Sequence, residues 1–280
     1  MRGWLIYDKD QAVRNEWVIR HYIETAARSK ITLSLLFSED IYIHFENGTA
    51  LLSCSDGYLT PVDFCIFRSW NFTLHEIIEQ MGIPTFNSSH LSRIANDKAC
   101  TYAFANALSL PILPTLITSD TEPPEDMEWP LVVKPRCGHG GDRVCFVPDP
   151  LSYGWAIANL VEDKSWIVQK CASQHGRDLR IYIINDKTIA PMMRKARRGI
   201  VSNYCLNGLA HPHALSHEEM TIVEAITAKQ HIDYGGIDLL YDRGRPVLNE
   251  LEDAVGARML YSLTGIDPVK LYMEHVLTTL

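Results

Sequence analysis

Residues 131–147 read LVVKPRCGHGGDRVCFV. An apolar run delivers Lys134, a loop carries Gly138, Gly140 and Gly141, and a second apolar run follows from Val144. Two strands joined in this way have a phosphate-binding composition. Glycine lets backbone N–H groups approach phosphate oxygens closely, and a lysine at the strand end supplies a point charge. The same composition also describes a glycine-rich hairpin whose loop binds nothing. Neither G-x-x-x-x-G-K-[ST] nor a G-x-G-x-x-G between strand and helix occurs here, so P-loop and Rossmann readings fall.

Further along, residues 236–253 read GIDLLYDRGRPVLNELED. Two strand-like runs flank Arg243-Gly244-Arg245, which is predicted to be a three-residue turn with Gly244 left-handed. That turn pairs Asp242 with Pro246 and sets Asp238 opposite Glu250, while Glu250 and Glu252, two apart, share a strand face. Three carboxylates then converge. Such a group repels itself unless cations sit among them, and hard oxygen ligands of this kind suit Mg²⁺ bridging the phosphates of ATP. The plainer alternative is a solvated face that carries acids by chance, and a one-residue change of register breaks the pairing.

Around these two segments the chain alternates apolar runs with amphipathic stretches. Strands are expected at 4–8, 32–37 and 64–68, with helices at about 13–28 and 73–82, the latter stopped by Gly82. Asn47-Gly48 between IYIHF and TALLS marks a hairpin. A helix follows at about 96–109, ended by Pro111 and Pro114, and then a strand at 115–118. Residues 119–130, polar and proline-rich, form a surface loop. Strands are expected at 131–134, 144–147, 166–170, 179–184 and 188–194, a helix at 216–231, a strand pair at 236–241 and 246–252, and a last helix at about 267–278. The first 95 or so residues read as a small α/β lobe, and the fold class is α/β.

Hydrophobic residues make up 46% of the 280, and no run reaches the roughly 18 apolar residues of a membrane span. A net charge of −8 excludes a nucleic-acid partner, which needs clustered Lys and Arg in excess. Seven scattered cysteines without paired short spacings read as free thiols. Met1 to Asp8 meets an acid too early for the apolar core of a signal peptide, so the expected compartment is the cytoplasm.

Read together and in order, these segments resemble the ATP-grasp ligases, and among them the RimK-like carboxylate–amine ligases, over nearly the whole chain. The matching pieces are NDKACTYAFANALSLPILPT, LVVKP with its glycine loop, WIVQK, GRDLRIYII, SNYCLNGL, GIDLLY and VLNELED. The resemblance implies an N-terminal α/β lobe, 1–95, followed by two lobes, 96–170 and 171–280, that clasp ATP. It assigns Lys98, Lys134 and the loop Gly138, His139, Gly140 and Gly141 to the nucleotide, with the backbone of Gln169, Lys170, Cys171 and Ala172 reading adenine. Asp238, Glu250 and Glu252 would hold magnesium, as two ions, with manganese as a substitute. Arg180, Arg194 and Asn203 would face the transferred phosphoryl group or the incoming substrate, and Arg258 is a further substrate candidate.

Three positions depart from the family pattern. Lys170 replaces an acid after the hinge glutamine, Glu252 stands where many relatives have asparagine, and Val201 replaces the arginine of an F-R-[ST]-N element. Arg197 or Arg198 is a candidate to compensate for the last.

Without the resemblance, Lys98 reads as a solvated helix lysine and Arg180 and Arg194 as surface ion pairs. His211 and His213 lack a third metal ligand nearby, and Cys137 reads as a small filler. Arg68 ends the FCIFR strand, and strand ends of an α/β lobe border ligand crevices, so it is a candidate for a substrate carboxylate; Asp8 has the same placement and a weaker claim. The reaction expected is ATP-dependent joining of a carboxylate to an amine through an acyl phosphate. Its substrates are small molecules or peptides, with no nucleic acid and no membrane, and a homo-oligomer is allowed. A phosphotransferase and a catalytically silent ATP-binding regulator are the two alternatives.

Overall fold

The parallel runs at the start of the chain pair as their apolar patterning demands. In the computed structural model, which describes all residues except His139, Asn159 and 197–207, β1 (Arg2–Tyr7), helix α1 (Lys9–Arg28) and β2 (Thr32–Phe37) form a first βαβ unit. An antiparallel trio follows: β3 (Tyr42–Glu46), β4 (Thr49–Cys54) and β5 (Gly57–Tyr58). Glu46 pairs with Thr49 around Asn47 and Gly48, both at positive φ, as the Asn-Gly signal requires. Then come β6 (Phe64–Arg68), α2 (Phe72–Gln80), β7 (Thr85–Phe86) and α3 (Ser89–Asn96), and the parallel sheet runs β2-β1-β6-β7.

The middle of the chain starts with α4 (Lys98–Ala107), capped by the Asp97 side chain, which accepts from the Ala99 N–H. Strands β8 (Thr115–Thr118), β9 (Leu131–Pro135), β10 (Cys145–Val147) and β11 (Trp166–Lys170), with α5 (Pro150–Ala158) before β11, give an antiparallel sheet in the order β10-β9-β11-β8. The last part builds β12 (Arg177–Ile184), β13 (Lys187–Lys195), β14 (Leu209–Pro212), α6 (His217–Thr227), β15 (Tyr234–Asp242) and β16 (Arg245–Glu252) into a five-stranded antiparallel sheet. Helices α7 (Arg258–Leu263) and α8 (Pro268–Thr279) close the chain.

Several expectations need correction. Helices α3, α5 and α7 were not expected: they span 8, 9 and 6 residues, too short for a helical period to stand out. Helix α4 stops at Ala107, before either proline, because Ser109 turns into the left-handed region. Helix α6 ends at Thr227 rather than at 231. The turn before β16 has two residues, Arg243 and Gly244, with Asp242 paired to Arg245. By itself that turn would set Asp238 opposite Asn249. A bulge between Leu239 and Asp238 inserts Asn249 as the extra residue, so Asp238 does stand opposite Glu250, for a reason other than the one expected. The bulge also lets Leu248 and Leu251, three apart, both enter the core while Glu250 and Glu252 face the other way.

Candidate active site

Three chain segments deliver charged side chains to one cleft. Its lining includes Lys98, Lys134, Gly138, Gly140, Gly141 and the backbone turn Gln169 to Ala172, together with Arg180, Arg194, Asp238, Glu250 and Glu252. Of the residues singled out for the nucleotide, metal and phosphoryl group, those left are His139 and Asn203. Both lie outside the described residues, as do Val201, Arg197 and Arg198.

Lys98 opens α4 and is buried, contrary to its reading as a solvated lysine. Its Nζ donates to the Gly138 carbonyl at 2.8 Å and lies 3.7 Å from Glu250 Oε1. Lys134, near the end of β9, donates to Asn249 Oδ1 at 3.2 Å, lies 3.9 Å from the same Glu250 oxygen, and sits over the Tyr102 ring. Burial lowers its pKa, opposed by Glu250. The bulge residue Asn249 is thus a site contact that the sequence reading missed; the spacing of leucines in VLNEL was the available signal. Gly140 and Gly141 have φ of 68° and 80°, which a side chain would strain.

On the facing sheet, register builds an alternating charge network. Asp178 pairs with Arg194 across β12 and β13, and Arg180 pairs with Asp238 across β12 and β15. Arg180 grips Asp238 with two bonds, Nε to Oδ1 at 2.8 Å and an η nitrogen to Oδ2 at 2.6 Å, and also donates to Glu252. Arg194 donates to Asp238 Oδ2 at 2.7 Å and to both Asp178 oxygens, one at 3.0 Å. These are buried pairs, not the surface bridges considered at first. Burial alone would raise the Asp238 pKa, but the two guanidiniums hold it at about 2. Glu252 moves the other way: burial, with Asp238 and Glu250 alongside, outweighs Arg180 and Arg194 and raises it. Asp178 was missed because an acid inside GRDLRIYII carries no spacing signal of its own.

The cleft therefore balances five bases, Lys98, Lys134, Lys170, Arg180 and Arg194, against five acids, Asp142, Asp178, Asp238, Glu250 and Glu252. A nucleoside triphosphate adds about four negative charges, which two divalent cations offset. The donor set fits such ions. Glu250 and Glu252 are the more accessible oxygens, and the raised Glu252 carboxyl is what an added cation would relieve.

Two placements differ from expectation. The hinge N–H groups of Lys170 and Cys171 already donate to Pro114 O and Pro130 O, each at 2.9 Å, and the Gln169 side chain donates to Thr115. Those two amides therefore cannot read adenine. Asp8 accepts from Ser38, Ser69 and the Trp70 N–H, which saturates it as a structural bracket. Arg68 and Arg258 line a second, larger cavity that runs on from the cleft, and Arg258 also donates to the Arg14 carbonyl at 2.7 Å. Among the described residues His213 pairs with Glu219 rather than with a metal partner. Among the described residues no helix is long and apolar enough to cross a membrane.

A family model for the RimK-like ATP-grasp domain matches residues 118–275, more than half of the chain. The chain belongs to that family, and its fold is the ATP-grasp fold. The class of enzyme that goes with the family is the ATP-dependent carboxylate–amine ligase, working with ATP and Mg²⁺. A probable alpha-L-glutamate ligase of Pasteurella multocida is 26% identical over 205 residues, spanning 71% of this chain and 66% of that protein. The tetrahydromethanopterin:alpha-L-glutamate ligase of Methanosarcina acetivorans is 24% identical over 311 residues, 93% of this chain and 95% of the relative. Among solved structures, D-alanyl-alanine synthetase A of Vibrio cholerae superposes with a TM-score of 0.75 at 16% identity, covering 100% of this chain and 98% of that one.

Proposed function

We propose that this chain uses ATP to activate a substrate carboxylate as an acyl phosphate and passes the acyl group to an amine, releasing ADP and phosphate. The observation that carries the reading is the convergence, from separate segments, of two buried lysines, a positive-φ glycine loop and a cluster of acids on one cleft. Lys98 and Lys134 take phosphate oxygens, exchanging their contacts with Glu250 and Asn249 for the nucleotide. The loop N–H groups complete the phosphate cradle. Leu113, Val132 and Leu240 give the base apolar walls, and the amide of Ala172 takes the adenine contact in place of the engaged amides of Lys170 and Cys171, with the carbonyls of the same stretch as acceptors.

Magnesium held by Asp238, Glu250 and Glu252 neutralises phosphate charge when bound, as two ions, with manganese a substitute. Arg180 and Arg194 stand fixed by Asp238 and Asp178, so they meet the transferring phosphoryl group without reorganising. The substrate carboxylate attacks the γ-phosphorus, the bond to the β-bridging oxygen breaks, and ADP departs. The amine then attacks the acyl carbon, and phosphate leaves. Closure of the lobe 96–170 over the lobe 171–280 keeps water from the acyl phosphate, with 1–95 as the substrate-side lobe. An amino acid as one partner accords with the relatives whose names are glutamate ligases. Cytoplasmic placement belongs to the same reading.

The test is ADP release across amino acids and peptides, singly and in pairs, with mass detection of products. The ligase gives ADP and a condensed product at full rate only with a pair. Full-rate ADP release with one acceptor and a stable phosphorylated product would replace it with a phosphotransferase, and nucleotide binding without ADP release from any substrate or pair would mean the silent ATP-binding regulator.

A further inference from the structure

The larger cavity, about 1180 Å³, shares Lys98, Arg180, Arg194 and Glu252 with the nucleotide cleft and ends against the N-terminal sheet. There Arg68, at the end of β6, stands among tyrosines. Its guanidinium carbon lies 5.8 Å from the Tyr7 ring centroid and 5.7 Å from that of Tyr234, and one η nitrogen donates to the Val255 carbonyl at 3.1 Å. Among the described residues no acid forms an ion pair with it, and the groups around it are Tyr7, Tyr22, Tyr234 and Tyr272. An arginine cannot shed its charge, and two tyrosine faces offset only part of the cost of taking it from water.

Three buried polar atoms at this spot have no partner: Arg68 Nε, Tyr22 Oη and Tyr234 Oη. Tyr22 and Tyr234 are 0% and 2% exposed, and all three residues line the same cavity. Buried donors are nearly always paired in native proteins, so three orphans on one wall ask for an acceptor that arrives from outside. A carboxylate has two oxygens and about four lone-pair sites, enough for the guanidinium and both hydroxyls.

We infer that Arg68, Tyr22 and Tyr234 form a subsite for a substrate carboxylate other than the one that is activated. The inference deepens the ligase reading and rests on it. The carboxylate to be phosphorylated must reach Arg180 and Arg194, which line both cavities, whereas Arg68 lines the larger one alone. A substrate seated here therefore carries a second, unreacting anionic end. Two sources supply one: the α-carboxylate of an amino acid whose amine is the nucleophile, or the far carboxylate of a dicarboxylic acyl donor.

The test is calorimetry on the full chain, saturated with magnesium and a nonhydrolysable ATP analogue. The titrants are the twenty L-amino acids, succinate and glutarate, and the amide of each acid. At least one free acid is expected to bind, with amidation or Arg68→Met weakening it about tenfold or more and Arg68→Lys restoring part. Loss on amidating an amino acid's α-carboxylate names the amine substrate as the source, and loss on amidating one end of a diacid names the acyl donor. Tyr22→Phe and Tyr234→Phe keep the rings, so they should lower acid affinity several-fold while leaving apo stability unchanged or higher, since each removes an unpaired hydroxyl. Equal binding of acid and amide, or unchanged acid binding by Arg68→Met and both Phe variants, overturns the subsite. So does the lack of any acid binding by a protein that still binds the nucleotide. Failure to bind the nucleotide itself is a separate result: it removes the ligase reading, and the subsite with it.

Discussion

Glu250 and Asp238 stand opposite each other on neighbouring strands, yet their surroundings assign them different duties. Asp238 has both oxygens engaged by Arg180 and Arg194, so Asp238→Asn leaves two buried guanidiniums short of charge and should cost about 3 kcal/mol of stability along with turnover. Glu250 is 27% exposed with lysines at 3.7 and 3.9 Å, so Glu250→Gln should change stability by less than about 1 kcal/mol while turnover falls at least about a hundredfold. Chemical denaturation beside an ADP-release assay separates the two. The Asp238 pKa gives the pH sign. Held at about 2, below its unfolded value, the group stabilises the fold above that value, and the contribution is lost as pH falls from about 4 toward 2. Lys134→Ala should raise the nucleotide Kd about tenfold by calorimetry. At this scale residue types and order let the sequence point to the cleft. What it could not carry was the partner of each charge: Asp178 beside Arg194, or the amides of Lys170 and Cys171 already bonded, depend on register between distant strands.

Elements explain both the successes and the errors of reading. Strands β2, β6 and β11 lie where their apolar runs put them, because each carries buried residues against a neighbour, whereas β8 is an edge strand paired with β11 that leaves Leu116 and Ile117 exposed. The β15–β16 hairpin was read with the wrong turn and the right partner, since one residue gained at Asn249 cancels one lost at Arg243-Gly244. Helix α2 carries a different consequence of burial. His75 lies fully buried, stacked on Phe67 with its Nε2 bonded to the Asn87 carbonyl, and burial lowers its pKa to about 4. The unfolded chain therefore takes up a proton at higher pH than the folded one. Stability is whole above about 6.5 and falls by about 3 kcal/mol as pH drops to about 4. Urea unfolding of His75→Gln against the parent, at pH 7.5 and 4.5, should show the parent losing more; equal losses would contradict this account of α2.

Across the whole molecule the cores divide unevenly. Leu5 and Phe64 of the first sheet and Tyr22 of α1 share one core with Tyr182, Met192, Tyr234 and Tyr272 from the last part of the chain. Leu131, Val133, Trp166 and Val168 of the middle sheet form another with Tyr153 of α5. Composition and periodicity cannot show which sheets share a core, so the fusion of the first sheet with the last part of the chain was not legible. On the proposed reading the middle sheet, with its own core, closes on the nucleotide as a unit. Saturating magnesium–nucleotide should slow amide exchange in 131–138 and 166–172 more than in the joined core. The central claim is the acyl phosphate, and hydroxylamine tests it most directly because it converts that species to a stable hydroxamate. With ATP, magnesium and the carboxylate substrate but no amine, hydroxamate should appear in equal amount to ADP, and Glu250→Gln should abolish both. ADP formed at full rate beside a stable phosphorylated product, with no hydroxamate, would contradict the account.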